Sequence, residues 1–258
     1  WLTSEHMSEM SDSAGTSWLD TGGRKWSGEL LAATGLEERH MPALVEGTDV
    51  AGILRPELAA RWGLDTGVVV AGGAGDNAAS ACGMGTVREG AAFVSLGTSG
   101  VLFAANASYL PNPESAVHAF CHALPGRWHQ MSVMLSAANC LDWAAKLTGS
   151  TSVAQLLERA ATLDAEQRRR APLFLPYLSG ERSPHNNPHA QGVLFGLRHD
   201  HDGAAIAWAV LEGVSFGLRD GFDSLALPPN QQPSSLALVG GGARSALWGQ
   251  LLADVLGV

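Results

Sequence analysis

Lysine is almost missing from this chain: Lys25 and Lys146 are the only two in 258 residues. Neither follows a glycine or precedes Ser or Thr. A Walker A loop, which needs Gly-Lys followed by Ser or Thr, is therefore excluded. Cysteine is scarce as well. Cys82, Cys121 and Cys140 are odd in number and lack CxxC spacing. That excludes a disulfide scaffold and points to a reducing compartment, the cytoplasm. No run approaches the roughly 18 uncharged apolar residues of a membrane helix, so no membrane partner is expected. Positive charge is outweighed, with Lys+Arg 16 against Asp+Glu 25 and a net charge of -9. A protein that binds nucleic acid by neutralising phosphates is not expected.

What is present belongs to a folded, core-forming chain, with 46% hydrophobic and 16% charged residues. The length suits one large domain or two smaller ones. In the first ninety residues the pattern predicts helices feeding one strong strand. Ser27 caps a helix through Leu31, and Pro56 to Gly63 has the proline-first, glycine-last asymmetry of a second. Val68 to Ala71 is a short β-branched run read as a buried strand, entering Gly72-Gly73-Ala74-Gly75 and then a helix start at Asp76. Ala91–Leu96 and Val101–Ala105 flank Gly97-Thr98-Ser99-Gly100 as a hairpin. Strands are expected at Val117–Ala123 and Trp128–Leu135, and a helix from Ser136 to Leu147. Asp202 caps a long helix with Ile206, Val210, Val214, Leu218 and Phe222 on one face, broken by Pro228-Pro229. Leu236–Val239 then runs into Gly240-Gly241-Gly242 and a helix over Ser245–Leu256. Alternating strands and helices give the class as α/β.

Three segments share a design of apolar strand, glycines, then a helix start or tight turn: Gly72–Asp76, Gly97–Gly100 and Gly240–Ser245. Glycine lets backbone approach a phosphate, and N–H groups at a helix N-terminus favour an anion. Any one loop is ordinary turn chemistry; three together favour a nucleotide site. Gly73-Ala74-Gly75-Asp76-Asn77-Ala78 formally fits the G-x-G-x-x-A dinucleotide fingerprint. Against that, no acidic residue lies near Ser95 to bind ribose, and Asp76 would set a carboxylate against the pyrophosphate. Asp76 suits a different task. A helix N-terminus favours its charged form, and a carboxylate beside a bound hydroxyl can take that proton during attack on a phosphoryl group.

His118, Cys121 and His122 fall in one expected strand, where positions i and i+4 lie about 13 Å apart, too far for one ion. No metal ligand is assigned. Glu181 and Arg182 follow a Pro-Tyr-Leu-Ser-Gly loop and are read either as a surface ion pair or as a site pair. The Arg168-Arg169-Arg170 run is read as a solvated helix end.

Longer motifs in fixed order now carry a resemblance. They are Ser8-Glu9-Met10-Ser11-Asp12-Ser13-Ala14-Gly15-Thr16-Ser17-Trp18-Leu19-Asp20, Gly72 to Ala79, Ser95 to Gly100, Pro113 to His122, Leu175 to Arg182, and Gly240 to Ser245. Over nearly its whole length the chain resembles the FGGY carbohydrate kinases, and within them the bacterial xylulokinases. The resemblance implies two actin-like (ribonuclease-H-like) lobes with an ATP/sugar cleft between them. Residues 1–88 would end the N-terminal sugar-binding lobe, and 89–258 would begin the C-terminal ATP-binding lobe. By similarity Asp76 is the catalytic base and, with Asn77, a sugar contact. Gly97 and Thr98 fall on the hairpin that holds the ATP phosphates, and Gly241, Gly242 and Ala243 on the loop beside the adenosine. The implied reaction converts D-xylulose and ATP to D-xylulose 5-phosphate and ADP, with Mg²⁺ on the phosphates. Ribulose, gluconate or glycerol are alternative substrates, and a homodimer is left open. Two other classes also stay open: a dinucleotide-binding oxidoreductase and a non-catalytic sugar-binding actin-like protein. The family's early Asp-x-Gly-Thr phosphate loop is not found between Trp1 and Val258. The expectation is therefore two incomplete lobes, and a chain inactive by itself.

Overall fold

The computed structural model describes residues 1–258. The chain divides into two compact units. The first holds residues 1–89, 105–110 and 119–130; the second holds 90–104, 111–118 and 131–258.

The first unit contains more strand than the sequence suggests. Met7–Glu9 pairs in parallel with Ala43–Val45, in the register Met7↔Ala43 to Glu9↔Val45. Leu19–Asp20 pairs antiparallel with Lys25–Trp26, and Val50–Ile53 with Val69–Ala71. These strands have two to four residues, too few for alternation to show in a sequence. The expected helices are there. Ser27 Oγ accepts the Leu30 N–H at the start of Gly28–Ala33, and Pro56–Trp62 ends at Gly63 in the left-handed region, φ 66°. Val69–Ala71 corrects the reading of a buried strand: Val69 is 53% exposed. Its sheet has only two strands. Apolar packing instead gathers in Met10, Ala14, Leu19 and Cys121, with Trp26, Leu44, Phe120 and Trp128 against them. Arg24 braces this cluster by pairing with Glu46 at 2.5 Å and donating to the Arg127 carbonyl at 2.9 Å.

The largest sheet has five strands in the order Ala237–Val239, Ala92–Leu96, Gly100–Asn106, Trp128–Met134, His118–Cys121. Ala237–Val239 runs parallel to Ala92–Leu96, which forms the expected hairpin with Gly100–Asn106 in the register Leu96↔Gly100. The 22-residue helix Gly203–Ser224 dominates the second unit. Asp202 Oδ1 accepts the Ala204 and Ala205 N–H groups at 2.9 and 3.1 Å, the expected cap. Ile206, Val210, Val214, Leu218 and Phe222 are all buried, as their four-residue spacing requires. Its core joins strand residues Val94, Leu96 and Leu102 to Leu141, Leu156 and Trp248 from the other helices. One helix starts later than expected. It runs Asn139–Leu147, and the Ala137 and Ala138 N–H groups just ahead of it, which no helical turn would satisfy, donate to the Thr98 and Gly97 carbonyls.

Candidate functional site

Asp76 is the first residue of helix Asp76–Met84, with Gly75 as its cap and Gly85 (φ 74°) ending it in the left-handed region. The loop before it needs glycine. Gly73 has φ 82°, and a side chain at Gly72 would run into the Glu46 backbone. Gly75 is fixed by a relay: its N–H donates to Ser11 Oγ at 3.0 Å, and the Ser11 hydroxyl donates to Glu9 Oε2 at 2.6 Å. The same Glu9 oxygen accepts the Asp12 N–H at 3.2 Å, capping helix Met10–Ser13. Glu9 is only 5% exposed. Two motifs about fifty residues apart in sequence, Ser8–Asp20 and Gly72–Ala79, thus form one structure. Sequence reasoning assigned Glu9 and Ser11 no role; a buried carboxylate beside a serine gives no pattern of its own.

Asp76 itself is exposed. Its Oδ1 accepts the Asn77 N–H at 2.7 Å and the Asn77 side-chain amide at 3.1 Å. Neither bond uses Oδ2, which is left to meet a ligand hydroxyl. The expected pair Asp76 and Asn77 therefore stands together on one helix turn. Such a carboxylate can accept a proton, and the adjacent amide fixes its plane.

In the second unit, Gly97, Thr98 and Ser99 form the hairpin turn. Gly97 N–H donates to the Ser99 carbonyl at 3.0 Å. The Thr98 carbonyl accepts the Ala137 N–H at 3.0 Å, and the Gly97 carbonyl accepts the Ala138 N–H at 2.9 Å. With its carbonyls anchored, the turn keeps the Thr98 and Ser99 N–H groups as donors for an anion. Gly100 packs so closely that a Cβ would sit 3.0 Å from Leu218 Cδ2 and 3.2 Å from Ala137 Cβ.

Gly241, Gly242 and Ala243 lie in the 3-10 turn Gly241–Arg244, ahead of helix Ala246–Leu256. This turn rides on the end of the hairpin strand. A Cβ on Gly242 would lie 2.9 Å from both Leu96 Cβ and Trp248 Cζ3, and one on Gly240 would meet the Leu96 backbone. Gly240 also has φ 92°. Gly241 and Gly242 line a cavity of about 490 Å³ with an apolar wall of Ala138, Leu141, Val153, Leu157 and Trp248, and with Asp142, Glu158, Arg244 and Ser245 at its polar edge. A flat apolar base with a polar sugar fits such a lining. Leu96 carries the Gly240–Gly242 turn, and Ala138 both binds the hairpin and walls the cavity. The structure thereby brings together the two loops expected to hold one nucleotide.

Other sequence expectations resolve differently. Glu181 makes no ion pair with Arg182. It is 3% exposed, and its Oε1 accepts the backbone N–H groups of Leu135 and Arg182 at 2.9 and 2.7 Å. Burial pushes its carboxyl up, against the pull of those two hydrogen bonds. The Arg182 guanidinium instead lies 3.4 Å from His118 Nε2. His122 is buried with Nδ1 accepting the Leu124 N–H and Nε2 3.0 Å from the Thr86 carbonyl, so the proton sits on Nε2. Burial pushes that imidazole down, toward its neutral form. Within the arginine run, Arg168 stacks over Trp208 at 4.4 Å rather than pointing into water.

Comparison with known proteins gives these geometries a family. A profile described as the C-terminal domain of the FGGY family of carbohydrate kinases matches residues 92–258, and its N-terminal counterpart matches residues 1–83. The chain is similar to the xylulose kinase of Escherichia coli, with 56% identity over 256 residues, covering 99% of this chain and 52% of that protein. It is similar in structure to a kinase from Brucella ovis described as a xyloylose kinase, with TM-score 0.95 and 58% identity over 100% of this chain and 52% of the other. A gluconate kinase from Lactobacillus acidophilus aligns over 100% of this chain and 52% of its own with TM-score 0.90 at 25% identity. The chain spans about half the length of the curated relatives it matches. The expected α/β class and the actin-like fold of these sugar kinases are what the structure shows.

Proposed function

The chain belongs to the FGGY family of carbohydrate kinases, and from that premise we propose that the protein carrying it transfers the γ-phosphoryl group of ATP to D-xylulose. The observation that carries the chemistry is Asp76, an exposed carboxylate on the first turn of a helix after a glycine loop, with Oδ2 unengaged. Asp76 takes the proton of the sugar hydroxyl as that oxygen attacks the γ-phosphorus. The bond to the β-phosphate oxygen breaks, and ADP and D-xylulose 5-phosphate leave. Asn77 holds the Asp76 plane and contacts the sugar. Phosphoryl transfer needs positioning and charge neutralisation more than covalent chemistry from the protein.

Residues 1–88 are read as sugar-binding and 89–258 as ATP-binding. ATP arrives as its Mg²⁺ complex, in which the cation offsets phosphate charge. The Gly97–Thr98 turn donates to the phosphates, and the base and ribose enter the cavity lined by Gly241 and Gly242, with Ala243 on the same turn. In a chain with two lysines and a net charge of -9, backbone N–H groups are the natural partners for the nucleotide. No helix is long and apolar enough to cross a membrane, and the proposed setting is the cytoplasm.

The choice of sugar rests on 56% identity to the Escherichia coli xylulose kinase across 99% of this chain. The fold match to a gluconate kinase makes gluconate the second reading. A panel of D-xylulose, D-ribulose, gluconate and glycerol with the full-length protein separates them. D-xylulose is expected to lead in kcat/KM by about a hundredfold, the order of discrimination that buried hydroxyl contacts supply. A larger kcat/KM for gluconate would replace the first reading with the second.

A further inference from the structure

Glu181 is the buried charged group whose surroundings fit neither the expected ion pair nor a simple packing role. Its backbone is locked, with Glu181 N–H donating to the Asn187 carbonyl at 2.9 Å and Asn187 N–H returning to Glu181 at 2.8 Å. Two residues on, Ser183 N–H donates to the Val133 carbonyl at 3.1 Å, and Ser183 Oγ donates to the Ala116 carbonyl at 2.7 Å. The loop is therefore clamped to the end of strand Trp128–Met134, and the Glu181 side chain reaches the next residue, Leu135, at 2.9 Å. Oε1 carries both of its hydrogen bonds, while Oε2 is buried without a partner. A carboxylate with an unpartnered buried oxygen is costly to fold. A neutral side chain would serve packing better.

The stretch that Glu181 holds is the one that grips the hairpin. Leu135 begins the turn whose Ala137 and Ala138 N–H groups donate to Thr98 and Gly97. We propose that Glu181 is a positioning residue for the nucleotide: through Leu135 it sets the 135–138 turn, which in turn sets the Gly97–Thr98 hairpin. This inference rests on reading that hairpin as the phosphate-binding one. The path is three hydrogen-bonded steps, Glu181 to Leu135, the turn to Thr98 and Gly97, and the hairpin N–H groups to the phosphate. A shift of about 1 Å at the end of such a path costs up to a hundredfold.

The test uses the full-length protein and reads ATP and D-xylulose dissociation constants by titration, so it does not depend on turnover. Glu181→Leu removes the acceptor; Glu181→Gln keeps an amide oxygen for the Leu135 and Arg182 N–H groups. Ala138→Pro deletes the donor to Gly97 at a residue whose φ of -65° already suits proline. Glu181→Leu and Ala138→Pro are each expected to weaken ATP about tenfold, while D-xylulose binding stays within about twofold and Glu181→Gln stays near wild type. If Glu181→Leu fails to fold, Glu181→Ala takes its place and is read by the same split. ATP affinity unchanged in Glu181→Leu would overturn the proposal, as would ATP and D-xylulose affinities falling together. A wild type that binds ATP yet phosphorylates no sugar would sink the kinase reading and leave this test readable. One that does not bind ATP would overturn both.

Discussion

The two units place their candidate chemistry on different materials. In the first, the proposed base is a side chain, Asp76, carried by a nine-residue helix beside two-stranded sheets and core clusters of four and three buried residues. In the second, the proposed nucleotide contacts are backbone, the Gly97–Thr98 turn and the Gly240–Gly242 turn, wedged against a core cluster of 26 buried residues. The contrast follows from the chemistry each would perform. A base needs an accessible carboxylate and tolerates a lightly built support. A row of N–H donors for phosphates has no side chain to adjust, so its accuracy must come from packing.

The sharpest way to break this contrast is at Asp76. In the full-length protein, Asp76→Asn keeps size and hydrogen bonding but removes the base, and kcat should fall about 10²- to 10⁴-fold. Steady-state rates with D-xylulose check this; a near-wild-type kcat removes Asp76 from the base role. Next in size, Leu218→Ala empties part of the second unit's core, where Leu218 is 2% exposed, and should cost about 2–5 kcal/mol. Val69→Ala, on the exposed sheet of the first unit, should stay within about 0.5 kcal/mol. Urea unfolding of both variants tests the pair, and equal losses would show that the two supports are alike.

Smaller than the Leu218 loss is that of Gly242→Ala, whose new methyl must displace Leu96 and Trp248. Overpacking of about 1–3 kcal/mol should appear as a lowered Tm together with weaker ATP binding, with D-xylulose binding unchanged. The smallest effect concerns the thiols. Burial pushes Cys140 up to about 12 and Cys121 up to about 11, from 9.0, whereas Cys82 is exposed on the Asp76 helix. A thiol reagent at pH 8 should modify Cys82 and spare the other two until the chain unfolds. The folded thiols hold their protons longer than the unfolded ones. Their contribution to stability is therefore complete below pH 9 and lost as pH rises through 11 to 12. In Cys140→Ala, that alkaline loss should shrink.

The same contrast explains what the sequence reveals. The second unit is legible because its elements are long and locally signalled. Asp202 announces the 22-residue helix, its buried face repeats every four residues, and the glycine-bounded turn marks the hairpin. The first unit hides most of its strands, since pairs of two to four residues carry no periodicity. Asp76 is visible because a glycine loop leads into it. The Glu9–Ser11–Gly75 relay is not, because only tertiary structure brings residues 9–11 to residue 75. The bonds from the Ala137 and Ala138 N–H groups to the hairpin carbonyls, just ahead of helix Asn139–Leu147, are hidden for the same reason. Glu181 looked like a partner for its neighbour Arg182 because adjacency is all a sequence displays.

The central claim is that base and nucleotide are held by separate parts of the chain, one by a side chain and the other by backbone. Titration of ATP into the full-length Asp76→Asn protein tests it most directly. The account predicts a Kd within about threefold of wild type, since the substitution removes a group that acts on the sugar hydroxyl rather than on ATP. A loss of ATP affinity as large as the loss in kcat would contradict it.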